Sequence, residues 1–137
     1  MDLDKLFASI RENEGLRLNV YTDTTGHQTI GYGHNLSNGI SIGAAEQILR
    51  DDIASAMQKA TSEPYWSHVS DNDARSRACV EITFNLGGLR GFPKAYSALC
   101  TGDFATASAE LLDSLWHRQI GKRAERLAAM IATGNDN

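Results

Sequence analysis

Two carboxylates and one hydroxyl stand near the start of this 137-residue chain, and the two carboxylates are predicted to lie on different backbone elements. Glu14 ends an apolar-periodic stretch, Asp23 follows nine residues later, and Thr29 follows after six more. Glycosidic hydrolysis uses one carboxyl group to protonate the leaving oxygen and a second carboxylate to activate water or to attack carbon. The pattern therefore makes Glu14 and Asp23 candidates for an acid and its partner.

Glu14 is a better candidate for the acid than its neighbour Glu12. Gly15 can end the preceding helix, because glycine accepts the left-handed conformation at a helix C-terminus. That terminus carries partial negative charge, which favours the neutral form of a nearby carboxyl group, as a general acid requires. Glu12 is expected to face solvent, and the plainer interpretation of Glu14 is a surface glutamate at a helix end.

Asp23 and Thr29 also have simpler interpretations. Turn aspartates are frequent, because the side chain accepts a hydrogen bond from its own backbone two residues on. Threonine is a common strand residue, so its position in a strand alone assigns it no chemistry.

These residues must be positioned by a helix and a small β-ribbon. Leu3, Leu6, Phe7 and Ile10 have the spacing of an amphipathic helix, which Asp2 or Asp4 could cap. Residues 20–21 and 28–32 favour short strands around a turn at 23–26. Further helices are predicted over residues 41–59, 70–86, 94–100, 103–112 and 121–133.

The order of these elements predicts an α+β fold in a single domain of residues 1–137. A β-rich lobe covers 15–40, a helical lobe covers 41–137 together with 1–14, and a cleft lies between them. Ser70 and Asp73 form an S-x-x-D pattern that predicts the start of one helix.

The composition of the chain argues against several classes of function. The formal charge of −4 argues against nucleic-acid binding, although Arg118, Lys122, Arg123 and Arg126 cluster near the C-terminus. No apolar run approaches the roughly 20 residues that span a membrane. The acidic N-terminus lacks the basic region and apolar core of a signal peptide, so no signal peptide is predicted. Cys79 and Cys100 lack metal-site spacing, so free thiols are expected rather than a zinc site or a disulfide.

A longer set of motifs resembles the phage-type lysozymes, the endolysins of glycoside hydrolase family 24. The resemblance implies that Glu14 is the general acid, that Asp23 is the ionised partner on the other side of the sugar ring, and that Thr29 helps to hold the water. It favours inversion and implies a lysozyme-like fold. The matching pieces are residues 14–34, 83–87, 91–92 and 102–104, Trp116, Gln119 and residues 123–126.

The resemblance also assigns roles outside this trio. It implies that four residues bind substrate and that three more support the site. His34 would pair with Asp52, or alternatively Asp51, and Arg123 would lie near Glu14 unless it pairs with Glu125 or Asp113. Trp116 is expected in the core. The substrate-binding residues would be Asn35, Leu36, Phe84 and Asn85, and the supporting residues His34, Asp52 and Arg123.

Peptidoglycan is the implied substrate, cleaved at the β-1,4 bond between N-acetylmuramic acid and N-acetylglucosamine. No metal, organic cofactor, nucleic acid or stable membrane insertion is implied. The expected protein is a monomer that is made in the host cytoplasm and reaches the periplasmic wall after a holin-type lesion. Two alternatives remain, a wall-binding module without hydrolysis and a lytic transglycosylase, which needs only one catalytic carboxylate.

Overall fold

The computed structural model describes residues 1–136, which divide into two compact units, residues 1–47 and residues 48–136. The first unit contains helix α1 (Leu3–Glu14), strands β1 (Arg17–Thr22), β2 (Gln28–Gly31) and β3 (His34–Asn35), and a short 3₁₀ helix, Leu36–Asn38. Helix α2 (Ile42–Thr61) begins in the first unit and continues into the second. The helices of the second unit are α3 (Trp66–Val69), α4 (Asp73–Leu86), α5 (Pro93–Cys100), α6 (Phe104–Leu112), α7 (Leu115–Ile120) and α8 (Lys122–Thr133).

Helix α1 begins and ends at the residues that the sequence predicted. The Asp2 carboxylate accepts a hydrogen bond from the Lys5 backbone N–H at 3.1 Å, which satisfies one of the free donors of the first turn. Gly15 has φ +70°, and its N–H donates to the Arg11 carbonyl. This termination fixes Glu14 as the last residue of the helix.

The strands form an antiparallel sheet in the order β1-β2-β3. The central residue Thr29 pairs with Tyr21 on one side and with Asn35 on the other. The register shifts between Arg17 and Tyr21. The sequence predicted the hairpin but not β3, because a strand of two residues is too short to show an alternating pattern.

One predicted cap of the helical unit is wrong, and two short helices, α3 and α7, were not predicted from the sequence. The residue that caps α4 is Asn72, whose side chain accepts from the Arg75 N–H at 2.9 Å, so the predicted cap at Ser70 is wrong. Ser70 instead follows the last residue of α3. Helix α7 was not predicted, and it is a six-residue helix that begins after Ser114.

The buried core of the second unit is formed mainly by α4, α5, α6 and α8. Trp116 is 3% exposed there, which confirms its predicted core position. Cys79 is buried and Cys100 half-buried, and both are free thiols as expected. Burial raises the pKa of Cys79 to about 12, which keeps the thiol neutral. The largest fully buried side chains of the described residues are Tyr65, Val69, Cys79, Ile82, Leu89, Leu99, Leu111, Leu127, Met130 and Ile131.

The α+β class predicted from the sequence is therefore confirmed, with a small antiparallel sheet followed by helices. Across residues 1–136, none of the helices combines the length and the apolar character that a membrane crossing demands.

Candidate active site

The predicted site residues divide between the two units. The first unit carries the catalytic candidates Glu14, Asp23 and Thr29, and also His34, Asn35 and Leu36. The second unit carries Asp52, Phe84, Asn85 and Arg123.

Asp23 occupies the turn between β1 and β2, where its carboxylate is held by three hydrogen bonds. Oδ1 accepts from the Thr25 backbone N–H at 2.9 Å, from the Thr25 hydroxyl at 2.8 Å and from the His27 backbone N–H at 2.8 Å. Among the described residues, the hydrogen bonds to this carboxylate all end on Oδ1, which leaves Oδ2 available. The side chain is one-third exposed, so a water molecule can reach it.

The turn also favours the charged form of this side chain. The hydrogen bond from the His27 backbone and that from the Thr25 hydroxyl lower the pKa of Asp23, and partial desolvation opposes them only in part. The His27 ring adds a smaller contribution, with Nδ1 lying 3.7 Å from Asp23 Oδ2. Asp23 is therefore a carboxylate anion over the whole neutral range.

Thr29 lies next to this turn and is 2% exposed. Its hydroxyl donates to the His27 carbonyl at 2.9 Å, and the same carbonyl accepts the Asp23 backbone N–H at 2.9 Å. The hydroxyl proton of Thr29 is therefore used in a hydrogen bond to the backbone, while its oxygen can still accept a hydrogen bond from another donor.

Glu14 lies against the turn between β2 and β3. A Cβ atom added to Gly33 would stand 2.7 Å from Glu14 Oε2, so the carboxylate packs directly on the glycine Cα. Gly33 has φ +77°, a conformation that other residues rarely adopt. The Glu14 side chain is exposed at the end of α1, where a bound saccharide could contact it.

The remaining predicted residues of the first unit have local partners. His34 Nε2 lies 2.7 Å from the Gly39 carbonyl. The Asn35 side chain accepts a hydrogen bond from the Ser37 N–H at 3.0 Å and so caps the 3₁₀ helix. Leu36, the first residue of that helix, is half-buried. The ion pair of His34 with Asp52 or Asp51 stays a prediction.

In the second unit, Phe84 and Arg123 line an open groove of about 620 Å³. Phe84 is 41% exposed, so it is a surface residue of the groove rather than part of the core. Arg123 Nε lies 3.5 Å from Glu81 Oε1, which also accepts from Arg126 Nη2 at 3.3 Å. The partner of Arg123 in this unit is therefore Glu81 and neither of the predicted alternatives.

Asn85 joins the groove-bearing helix α4 to the core. Its Oδ1 accepts a hydrogen bond from Trp116 Nε1 at 3.0 Å, which satisfies the indole donor of a buried ring. The residue itself is exposed, and its amide nitrogen remains available to a ligand. Asp52 lies on an exposed part of α2.

Sequence reasoning missed three residues that shape this region. Thr25 and His27 contact the Asp23 carboxylate, and Gly33 makes room for Glu14. The signal for the first two is local: a turn aspartate followed at two and four positions by residues whose N–H groups can reach its side chain. Gly33 gave no such signal, since one glycine among several does not show which side chain will lie on it.

Comparison with known proteins decides the family. Residues 11–131 match the family model described as phage lysozyme, which covers most of the chain.

This chain belongs to the phage lysozyme family.

Several relatives agree with this assignment. The chain is 31% identical to an endolysin of Acyrthosiphon pisum secondary endosymbiont phage 1, with 88% of this chain and 84% of the endolysin aligned. It is 23% identical to the probable T4-type lysozyme 1 of Dictyostelium discoideum, with 93% and 94% aligned. It is 30% identical to the pre-baseplate central spike protein Gp5 of Enterobacteria phage T4, with 92% of this chain aligned but only 27% of that protein.

The family and the names of these relatives support a peptidoglycan-lytic lysozyme. The chain spans about a quarter of the length of the T4 spike protein.

Proposed function

We propose that this protein is a muramidase that hydrolyses the β-1,4 bond between N-acetylmuramic acid and N-acetylglucosamine in bacterial peptidoglycan. Glu14 is the general acid, and Asp23 with Thr29 directs the attacking water. The observation that carries this proposal is the pair of carboxylates in different environments within a chain of the phage lysozyme family. One carboxylate is tied by three hydrogen bonds, and the other rests on a glycine.

Glu14 suits the role of acid because of its backbone position. It is the last residue of α1, and its exposed carboxyl group lies on Gly33 at the ribbon, where a bound saccharide could contact it. In the proposed reaction, Glu14 transfers its proton to the glycosidic oxygen while the bond from that oxygen to the anomeric carbon breaks. Gly33 keeps the carboxyl group at the ribbon, since any side chain at that position would displace it.

Asp23 suits the complementary role because it stays ionised. Its three hydrogen bonds stabilise the negative charge, and they leave Oδ2 to accept a proton. Water adds its oxygen to the anomeric carbon from the face opposite the leaving group, and its proton passes to Asp23. Thr29 can contribute only as an acceptor, because its hydroxyl proton is already donated to the His27 carbonyl.

We assign substrate contacts to Asn35 and Leu36 in the first unit and to Phe84 and Asn85 in the second. The exposed ring of Phe84 and the unused amide nitrogen of Asn85 support this assignment, because saccharides combine apolar faces with hydroxyl groups. In the same proposal Arg123 supports Glu14. The protein acts as a monomer without a metal or organic cofactor. It is made in the host cytoplasm and reaches the wall after a holin-type lesion.

The test is mass spectrometry of the muropeptides that purified sacculi release. The wild-type protein should give products with a hydrated reducing-end muramic acid. Glu14→Gln should lower the rate by about 10²–10⁴-fold, the usual contribution of a positioned general acid. Glu12→Gln is the matched control, because it removes a neighbouring carboxylate from the same helix and should leave the rate unchanged.

Three results would contradict the proposal. Full activity in Glu14→Gln would show that Glu14 is not the general acid. Anhydro products with an unchanged rate in Asp23→Ala would indicate a lytic transglycosylase. Binding to sacculi without any released product would indicate a wall-binding module.

A further inference from the structure

The turn that carries Asp23 contains a short chain of side-chain hydrogen bonds, and its outermost group, the His27 imidazole, has no part in the proposed mechanism. The Thr25 hydroxyl donates to Asp23 Oδ1 at 2.8 Å. His27 Nδ1 lies 2.7 Å from the same hydroxyl oxygen. Because the threonine proton points to the carboxylate, Nδ1 of His27 must carry the proton of the second hydrogen bond. The order is therefore His27 to Thr25 to Asp23.

The imidazole also faces the carboxylate directly, with Nδ1 lying 3.7 Å from Asp23 Oδ2. Histidine ordinarily changes its charge between pH 5 and 8, whereas the neighbouring hydrogen bonds do not depend on pH in that range. A protonated His27 places a cation beside the one carboxylate oxygen that receives no hydrogen bond from the described residues. Its ring is 53% exposed, so protons exchange freely with solvent.

The remaining arginine and histidine of the ribbon, Arg17 and His34, have other partners. On β1, the Arg17 guanidinium lies 4.7 Å from the centre of the Tyr21 ring. On β3, His34 contacts the Gly39 carbonyl. Among the described residues, Asp23 is the only carboxylate within salt-bridge distance of His27. The charge of His27 therefore acts mainly on Asp23.

We propose that Thr25 and His27 are positioning residues that hold the Asp23 carboxylate in one orientation and favour its charged form. The proposal rests on the proposed role of Asp23 as the partner of Glu14. Three donors on Oδ1 prevent the carboxylate from rotating, so Oδ2 is presented to the water. A charged imidazole 3.7 Å from Oδ2 favours the carboxylate anion over the neutral acid.

Two measurements on the 137-residue protein test this. One is the titration of the Asp23 carboxyl carbon by ¹³C NMR, and the other is kcat/KM for purified sacculi as a function of pH. Both should respond in Thr25→Val and in His27→Gln, which keep the backbone donors. The pKa of Asp23 should rise in each variant, and the acidic limb of kcat/KM should move to higher pH with it.

The size of the response should follow the strength of the contact removed. The Thr25 hydroxyl bond lowers the pKa of Asp23 more than the charge of His27 does, so Thr25→Val should give the larger shift. Its kcat at the optimum should fall by roughly three- to tenfold, as for the loss of one hydrogen bond of ordinary net strength. Thr25→Ser should restore both readouts. Thr24→Val is the matched control, because the exposed Thr24 side chain makes no hydrogen bond with the described residues, and it should behave like the wild type.

An unchanged NMR titration of Asp23 in both variants would overturn the proposal. A titration that moves while the acidic limb stays in place would also overturn it, since the pair would then have no part in the reaction. The variant Asp23→Asn tests the proposed function of Asp23 separately from the positioning role of Thr25 and His27. If that variant keeps wild-type activity, the proposed function of Asp23 fails, and this proposal fails with it even where the NMR titration shows the predicted contacts.

Discussion

The β-ribbon of residues 17–35 and the helical core of the second unit hold their side chains by different kinds of contact. In the ribbon, the Asp23 carboxylate is fixed by partners two and four residues away. Thr29 is the one buried residue among residues 1–47. In the helical core, buried apolar side chains such as Leu99, Leu111 and Leu127 come from separate helices.

We therefore expect the helical core to determine the stability of the protein and the ribbon to determine its activity. Apolar burial stabilises by roughly 25 cal/mol per Å² removed from water, so the helical core should dominate the free energy of unfolding. Short-range hydrogen bonds between half-exposed groups contribute little to that free energy, but they set the orientation and charge of a carboxylate. Substitutions in the core should therefore change stability, and substitutions in the ribbon should change activity.

The largest expected effect comes from the core. Leu111→Ala removes a fully buried side chain from α6 and should lower the free energy of unfolding by about 2–5 kcal/mol, because the cavity cannot close completely. Urea-induced unfolding followed by circular dichroism measures this. The carboxyl resonance of Asp23 should stay unchanged below the transition.

The neighbouring residue Leu112 supplies the control. It is the same residue type on the same helix, but it is 38% exposed, so Leu112→Ala should cost clearly less than Leu111→Ala. Equal losses in the free energy of unfolding for the two variants would contradict this expectation, because the stability of the unit would then not depend on burial in this core.

The next effect, expected in activity, concerns the contact between Glu14 and Gly33. Gly33→Ala should lower kcat by about a hundredfold, because the new methyl group would displace the Glu14 carboxylate and small misplacements of a reacting group are costly. Positive φ at this position should also cost roughly 1–2 kcal/mol of stability. Lysis rates and urea unfolding measure the two quantities separately.

Gly31→Ala distinguishes displacement from backbone strain. Gly31 has φ +69° in the same ribbon, but a Cβ atom added there would meet nothing within 4 Å. Its alanine variant should show a similar loss of stability and keep most of its activity. If both variants lose activity equally, the backbone of the ribbon rather than the position of Glu14 limits the reaction.

The local features of the first unit were the ones that the sequence predicted best. The end of α1 at Gly15, the cap at Asp2 and the turn at Asp23 all depend on residues within four positions of one another. Such signals are visible in a linear pattern. The same locality explains the failure at Ser70, because Asn72 is an equally good capping residue and lies directly before the helix.

Contacts between distant segments could not be predicted in this way. The phenol of Tyr96 donates to Glu63 Oε2 at 2.6 Å, across 33 residues, and Arg90 Nε reaches Glu63 Oε1 at 3.1 Å, across 27. Neither the spacing nor the residue types single out this cluster. It appears only when α5 and the segment before α3 pack together, which depends on the whole helical core.

This cluster gives the smallest effect and tests whether a polar contact can stabilise the helical unit. The hydrogen bond from Tyr96, followed by the contact with Arg90, lowers the pKa of Glu63. A carboxyl group with a lowered folded-state pKa stabilises the protein above its unfolded-state pKa, and this stabilisation is lost as the pH falls through the folded-state value. Tyr96→Phe should therefore cost about 1 kcal/mol at pH 7, and the cost should shrink below about pH 4, where glutamate gains its proton.

Urea unfolding of both proteins at pH 7 and pH 3 measures this difference. Tyr32→Phe is the control, since the Tyr32 hydroxyl makes no hydrogen bond with the described residues and the ring is 43% exposed. Its stability should equal that of the wild type at both pH values. A cost for Tyr96→Phe that is the same at pH 3 and pH 7 would mean that the phenol contributes through packing alone. In that case, the contacts of Tyr96 with Glu63 would stabilise the helical unit by apolar burial and not by the charge of the carboxylate.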